Sequence, residues 1–267
     1  MKNRILIALV LLIGPATLFA QDQEASASAA QANNPLANMT AFNVQNYYIP
    51  KLADAPADAY LNTAWLRFAT PFAKGRLLLR VSVPLSTVGM PDSTGRVKTV
   101  SGLGDANAFL SYNFVSKPTM TIGIGPQIAA PTATDSVLGA GKWQGGLAFV
   151  AFIAKSPVIQ FGGLITWQAS FAGDKDRPET NILAVQPFYF WQLGKGVYLR
   201  GAPIWVFDLR NSTYQIPVGL GIGKVVNVGK TVFNLFLEPQ YTVIQKGVQP
   251  QIQLFAGINM QFIKKSR

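Results

Sequence analysis

Residues 249–262 read Q-P-Q-I-Q-L-F-A-G-I-N-M-Q-F. From Gln251 the stretch alternates. Ile252, Leu254, Ala256, Ile258, Met260 and Phe262 fall on one face. Gln251, Gln253, Gly257, Asn259 and Gln261 fall on the other, with Phe255 as an apolar intruder. A period of two describes a strand between two unlike environments. One environment accepts apolar side chains, and the other accepts glutamine and asparagine. A soluble sandwich supplies that contrast. So does a transmembrane barrel, with lipid outside and a polar lumen inside.

Composition separates the two. The chain has 267 residues, 49% of them apolar and only 13% charged. That charged share is about half the usual figure for soluble domains. Mean hydropathy is +0.23, yet beyond the N-terminus no run approaches the ~18 apolar residues of a membrane helix. A membrane protein without such helices must be a closed barrel, because each backbone amide in lipid needs a partner.

The N-terminus has its own logic. Lys2 and Arg4 precede a short apolar core at 5–13, Gly14-Pro15 ends it, and Ala20 precedes Gln21. This is the pattern of a secretory signal peptide spanning 1–20. The chain has no Cys, so an exported product draws no stability from disulfides. Residues 21–40 are rich in Ala, Ser, Gln and Asn without a period, and the expectation there is a flexible periplasmic tail. A lumenal plug is the alternative for this segment.

From there, 41–267 reads as one barrel. Strand segments are expected near 42–49, 61–72, 76–85, 105–114, 120–130 and 144–154, then 158–171, 181–192, 197–207, 214–225, 232–243 and 251–262. Twelve fits the even number usual in bacterial barrels. A segment of ~11 residues, at ~3.3 Å each and a ~40° tilt, rises roughly 28 Å, the thickness of a hydrocarbon core. Connections alternate in length. Tight turns carry Lys74, Lys117, Lys155, Lys195 and Lys230, while 50–60, 86–104, 131–143, 172–180 and 208–213 are mostly longer. Short periplasmic turns and long external loops are the outer-membrane pattern. Trp143, Trp167, Tyr189, Trp191, Trp205 and Tyr241 gather near strand ends, where interfacial aromatic girdles form. The expected fold is therefore an all-β, transmembrane, antiparallel up-and-down barrel of about 12 strands.

The absence of His excludes Ser-His and His-metal chemistry, so neither an enzyme nor a cofactor site is expected. Gly219, Gly221 and Gly223 precede Gly229-Lys230-Thr231, but the spacing misses a phosphate loop and no strand–loop–helix context exists. Glycines at alternate inward positions relieve crowding instead. The inward polar set is the candidate site: Arg67, Arg80, Asp105, Arg200 and Glu238 are expected in the lumen, either paired with one another or lining a path. Phe109, Phe188, Phe190, Phe236 and Phe255 share that face. The formal charge of +11 does not imply nucleic-acid binding, because the lysines sit in turns and at the C-terminus.

The order Gly102-Leu103-Gly104-Asp105, Gly123-Ile124-Gly125-Pro126, Pro131-Thr132-Ala133 and Leu138 through Trp143 resembles an outer-membrane barrel family named for the meta-pathway of phenol degradation. The resemblance is concentrated in 102–150. It implies a bacterial outer-membrane barrel that passes hydrophobic or aromatic compounds. Asp105 and the pair Lys142 and Trp143 carry over by position, as candidates at the extracellular lip for a gate or salt bridge. The expected partners are outer-membrane lipids, a small-molecule solute, and the barrel-assembly machinery through the C-terminal strand ending at Phe262. The expected role is a passive channel. The alternative is a structural or adhesion barrel that binds through external loops such as 86–104, with Arg96 and Lys98.

Overall fold

The computed structural model describes residues 32–263, so the segment 1–20, expected as a signal peptide, and residues 21–31 lie outside the described residues. Twelve antiparallel strands close into a barrel. They are β1 (Thr40–Ala53), β2 (Tyr60–Phe72), β3 (Leu77–Pro91), β4 (Val97–Leu103, resuming as Ala106–Lys117), β5 (Met120–Ala130) and β6 (Lys142–Ile153). There follow β7 (Ile159–Gly173), β8 (Asn181–Gly194), β9 (Val197–Gly201, resuming as Trp205–Asp208), β10 (Thr213–Gly219, resuming as Gly221–Val228), β11 (Thr231–Lys246) and β12 (Gln249–Phe262). In each interrupted strand, both parts pair with the same preceding or following neighbour. The ring closes where β1 runs antiparallel to β12, from Thr40 opposite Phe262 to Ala53 opposite Gln249. No sheet edge remains, as backbone in lipid requires.

The registers align the two faces around the ring. Asn43 lies opposite Asn259 and Arg67, and Arg80 opposite Ala69 and Phe109. Inward polar side chains are shielded: Gln160 and Glu238 are 0% exposed, Asn234 and Ser111 1%. The outer face is the reverse. Leu147, Phe161, Trp191, Ile222, Tyr241 and Ile252 are 42–53% exposed, and similar side chains continue around the barrel. A band this apolar suits a hydrocarbon surround rather than water.

Two segments differ from expectation. The long loop expected at 86–104 is largely strand: β3 and β4 continue as a hairpin in which Thr87 faces Ser101 and Pro91 faces Val97. Its turn is built by Asp92, whose Oδ1 accepts from the Thr94 amide at 2.8 Å, the Thr94 hydroxyl at 2.7 Å and the Arg96 amide at 3.1 Å.

Residues 32–39, expected as part of a free tail, lie inside the barrel, across the end that carries the tight turns. The Asn234 amide donates to the Ala32 carbonyl at 3.2 Å and to Asn33 Oδ1 at 2.9 Å. Asn34 donates to the Thr121 hydroxyl at 3.4 Å. Leu36, 3% exposed, packs with Ala41, Ala69, Leu78 and Val150, a burial worth about 1.5–3 kcal/mol. Polar composition signals a solvated tail only when the alternative surroundings are apolar. Here the lumen wall is itself amide-rich, and it pairs with the Ala32 carbonyl, Asn33 Oδ1 and the Asn34 amide of the segment.

Candidate functional site in the lumen

Above residues 32–39 a cavity of about 140 Å³ occupies the middle of the barrel. Among the described residues its lining contains Arg67, Arg80 and Arg200 and no aspartate or glutamate. Asn43, Gln45, Gln186 and Asn259 supply neutral polar groups, and Leu78, Leu164, Phe188, Phe190 and Phe255 supply apolar wall.

Each arginine has a different environment. Arg200 Nε donates to Glu238 Oε2 at 2.7 Å. Glu238 Oε1 also accepts from the Ala202 amide at 2.8 Å and the Gln240 amide at 2.8 Å. The guanidinium of Arg200 lies 3.7 Å from the centre of the Phe236 ring. A buried charge pair is stable only when its remaining hydrogen-bonding capacity is met, and this carboxylate has three donors. Space for the pair comes from glycine. A Cβ on Gly219 would sit 2.6 Å from Glu238 Oε1, and one on Gly223 would sit 2.2 Å from the Tyr198 ring. The G-x-G-x-G run thus makes room for bulky inward neighbours.

Arg67 donates from Nη1 to Gln45 Oε1, and Gln45 in turn donates to Asn259 Oδ1 at 2.8 Å. Its guanidinium lies 4.9 Å from the Trp65 ring centre, and that of Arg80 lies 4.3 Å from the Phe109 ring centre. Among the described residues neither has a carboxylate partner: the ion pairs are Arg200–Glu238 and the exposed Arg210–Glu179.

Asp105 stands apart from this group. It occupies the break between the two parts of β4, where Oδ1 accepts from the Ala133 amide at 3.2 Å and Oδ2 from the Ala140 amide at 2.7 Å. It therefore fastens the 131–141 loop at the lip. Arg177 holds the same loop from the other side, donating to the carbonyls of Ser136 at 2.6 Å and Gly139 at 2.5 Å. Lys142 is 7% exposed and makes no ion pair with Asp105, while Trp143 points outward and is 41% exposed. The expected lip salt bridge is thus replaced by carboxylate-to-amide bonds. Sequence reasoning placed Asn259 on a polar face without assigning it to the site, and passed over Gln45 and Arg177. Strand parity places the first two inward, whereas no local pattern marks Arg177.

No protein-family model matches the chain, and no curated protein matches it. Solved structures do match in shape. An outer-membrane channel from Pseudomonas putida F1 superposes with a TM-score of 0.61 at 15% identity, over 84% of this chain and 96% of that one. The NanC porin superposes with a TM-score of 0.53 at 7% identity, over 84% of this chain and all of that one. The fold is that of outer-membrane channels. At these identities the likeness describes architecture, and the resemblance to the phenol-degradation family rests on the glycine-rich motifs alone.

Proposed function

We propose that this protein is a passive channel in the bacterial outer membrane for small hydrophobic or aromatic molecules. In this account the 1–20 segment directs export and is removed. Strand β12, ending at Phe262, is presented to the barrel-assembly machinery, and lipids surround the apolar band. The observation that carries the proposal is the central cavity, with aromatic and aliphatic wall beside arginine and amide groups, inside a barrel whose outer face suits lipid. Known channels with the same architecture support it. The lumen's polar and apolar lining groups are of the kind that bind and pass a solute.

A second function has its own support. Residues 32–39 cross one end of the lumen, and the Arg200–Glu238 pair with Phe190, Phe236 and Phe255 fills part of its width. A barrel so filled could act through its surface, with the 86–104 hairpin and its Arg96 and Lys98 as the binding element. Single-channel recording of the refolded mature protein, with liposome uptake of small aromatics, separates the two. Discrete openings or protein-dependent uptake supports the channel. A folded barrel that shows neither supports the binding role and overturns the channel.

A further inference from the structure

Among the described residues Arg67 and Arg80 have no counter-charge. They sit on neighbouring strands facing the same cavity, two residues out of register: Arg67 lies opposite Ser82, and Arg80 opposite Ala69. Both guanidiniums rest against aromatic rings. The Nε of each is buried and finds no partner among the described protein groups. Two like charges placed this close in a confined lumen repel each other. They also lack the carboxylate that Arg200 has in Glu238. Side chains so placed are held against electrostatic cost, and an anion between them removes that cost.

We infer that Arg67 and Arg80 form a lumenal binding site for a small organic monocarboxylate. The guanidinium fork matches a carboxylate in shape and presents paired donors. Gln45, itself held by Asn259, fixes the Arg67 head in place. The body of the ligand is bounded by the cavity. Its 140 Å³ is close to the roughly 150 Å³ of an engineered cavity that holds benzene. Leu78, Leu164, Phe188 and Phe255 provide an apolar wall for it. The site therefore takes one carboxylate on a body of about the size of a single ring. This assignment rests on the channel proposal for the route by which the ligand arrives, and it names the solute class of that channel.

The test is calorimetric titration of the full mature chain, folded in detergent, with benzoate and with its neutral counterpart benzamide. Heat-modifiable gel mobility verifies folding of each variant. Benzoate is expected to bind at least tenfold more tightly than benzamide. Arg67→Gln and Arg80→Gln should each weaken benzoate at least tenfold, and Arg80→Lys should restore part of the loss. Where a glutamine variant does not fold, the wild-type preference for benzoate over benzamide and the Arg80→Lys titration decide. Equal binding of the two ligands, or glutamine variants that bind benzoate like wild type, overturns the site. So does displacement of benzoate by an equal concentration of inorganic phosphate, which would make the pair a general anion site. Binding that appears only in an Asp22→Asn, Glu24→Gln variant would make the chain's own carboxylates the occupants and overturns it too. Liposome uptake of benzamide is measured in parallel. Uptake without benzoate selectivity leaves the channel and removes the site, whereas selective binding without any uptake leaves the site and removes the channel.

Discussion

Arg200 and Glu238 meet at 2.7 Å in the lumen, with side chains 6% and 0% exposed, and they are 38 residues apart in sequence. Their strands, β9 and β11, are separated by β10, so the contact spans the inner face of an intervening strand whose glycines stand clear of it. The pair is a cross-strand brace. Removing one partner strands the other charge. Glu238→Gln should therefore destabilise the barrel by about 3–5 kcal/mol. The double variant Arg200→Met, Glu238→Leu should recover most of that loss, because no unpaired charge remains. Urea unfolding in lipid vesicles, followed by loss of heat-modifiable mobility, measures both. A Glu238→Gln variant as stable as wild type would show that the brace contributes nothing.

The segment 32–39 narrows the lumen from the turn-bearing end. Deleting those residues from the chain should widen the path and raise single-channel conductance several-fold, with the barrel still folded. Leu36→Asp should have a similar effect with a smaller deletion of contacts, since a carboxylate cannot sit among Leu78, Val150 and Ala69 without a partner. Conductance equal to wild type in both variants would place the limiting constriction higher, at the arginines.

These two features mark what a sequence can and cannot disclose here. Each strand in the membrane meets the same two media, so period-two alternation persists from 42 to 262, and all twelve strands were legible. The inward parity of Arg67, Arg80, Arg200 and Glu238 followed from the same count. Beyond the lipid both faces of a strand meet water and the contrast fades. That is why the Thr87–Ser101 extension of β3 and β4 looked like loop. The Arg200–Glu238 pairing needed the register of three strands, and register is a long-range property that no local pattern carries. The 32–39 segment was misjudged because Asn33 and Asn34 are at home in water and equally at home against Asn234 and Thr121.

Gly223 faces Tyr198, which is 0% exposed and donates to Asn234 Oδ1 at 2.5 Å. A methyl at Gly223 would have to displace the ring. Gly223→Ala should destabilise by about 1–3 kcal/mol through overpacking. Gly223→Ala combined with Tyr198→Leu should be nearer wild type, because the displaced ring is gone. The yield of heat-modifiable barrel after refolding distinguishes these outcomes.

Asp92 lies at the tip of the β3–β4 hairpin, outside the lipid band. The hydroxyl and amide of Thr94, with the amide of Arg96, favour its ionised form and hold its pKa below the ordinary value of 3.8. A depressed carboxylate stabilises the folded turn above the unfolded pKa and loses that effect as pH falls through the folded one. The Thr94 and Arg96 amides should therefore stay in place at pH 5 and lose their native shifts only below about pH 3.8. Amide chemical shifts followed through an acid titration check this. In Asp92→Asn the shifts should stay flat over the same range.

Asp105 and Arg177 clamp the 131–141 loop from opposite sides, one by accepting from two of its amides and the other by donating to its carbonyls. Each leaves at least one half-buried backbone group unpaired when removed, a local cost of about 1–3 kcal/mol. Asp105→Ala should speed hydrogen exchange at the Ala133 and Ala140 amides while global unfolding changes little, since the strands on both sides keep their ladders. Arg177→Ala leaves those two amides bonded to Asp105, so its effect on their exchange should be smaller. If the loop moves as one body, the double variant should open it by more than the two single effects together, because in each single variant the other clamp still holds the shared segment. Strict additivity would mean that the two clamps act on independent halves of the loop. A fall in global stability matching the local loss would instead place Asp105 among the braces of the barrel wall.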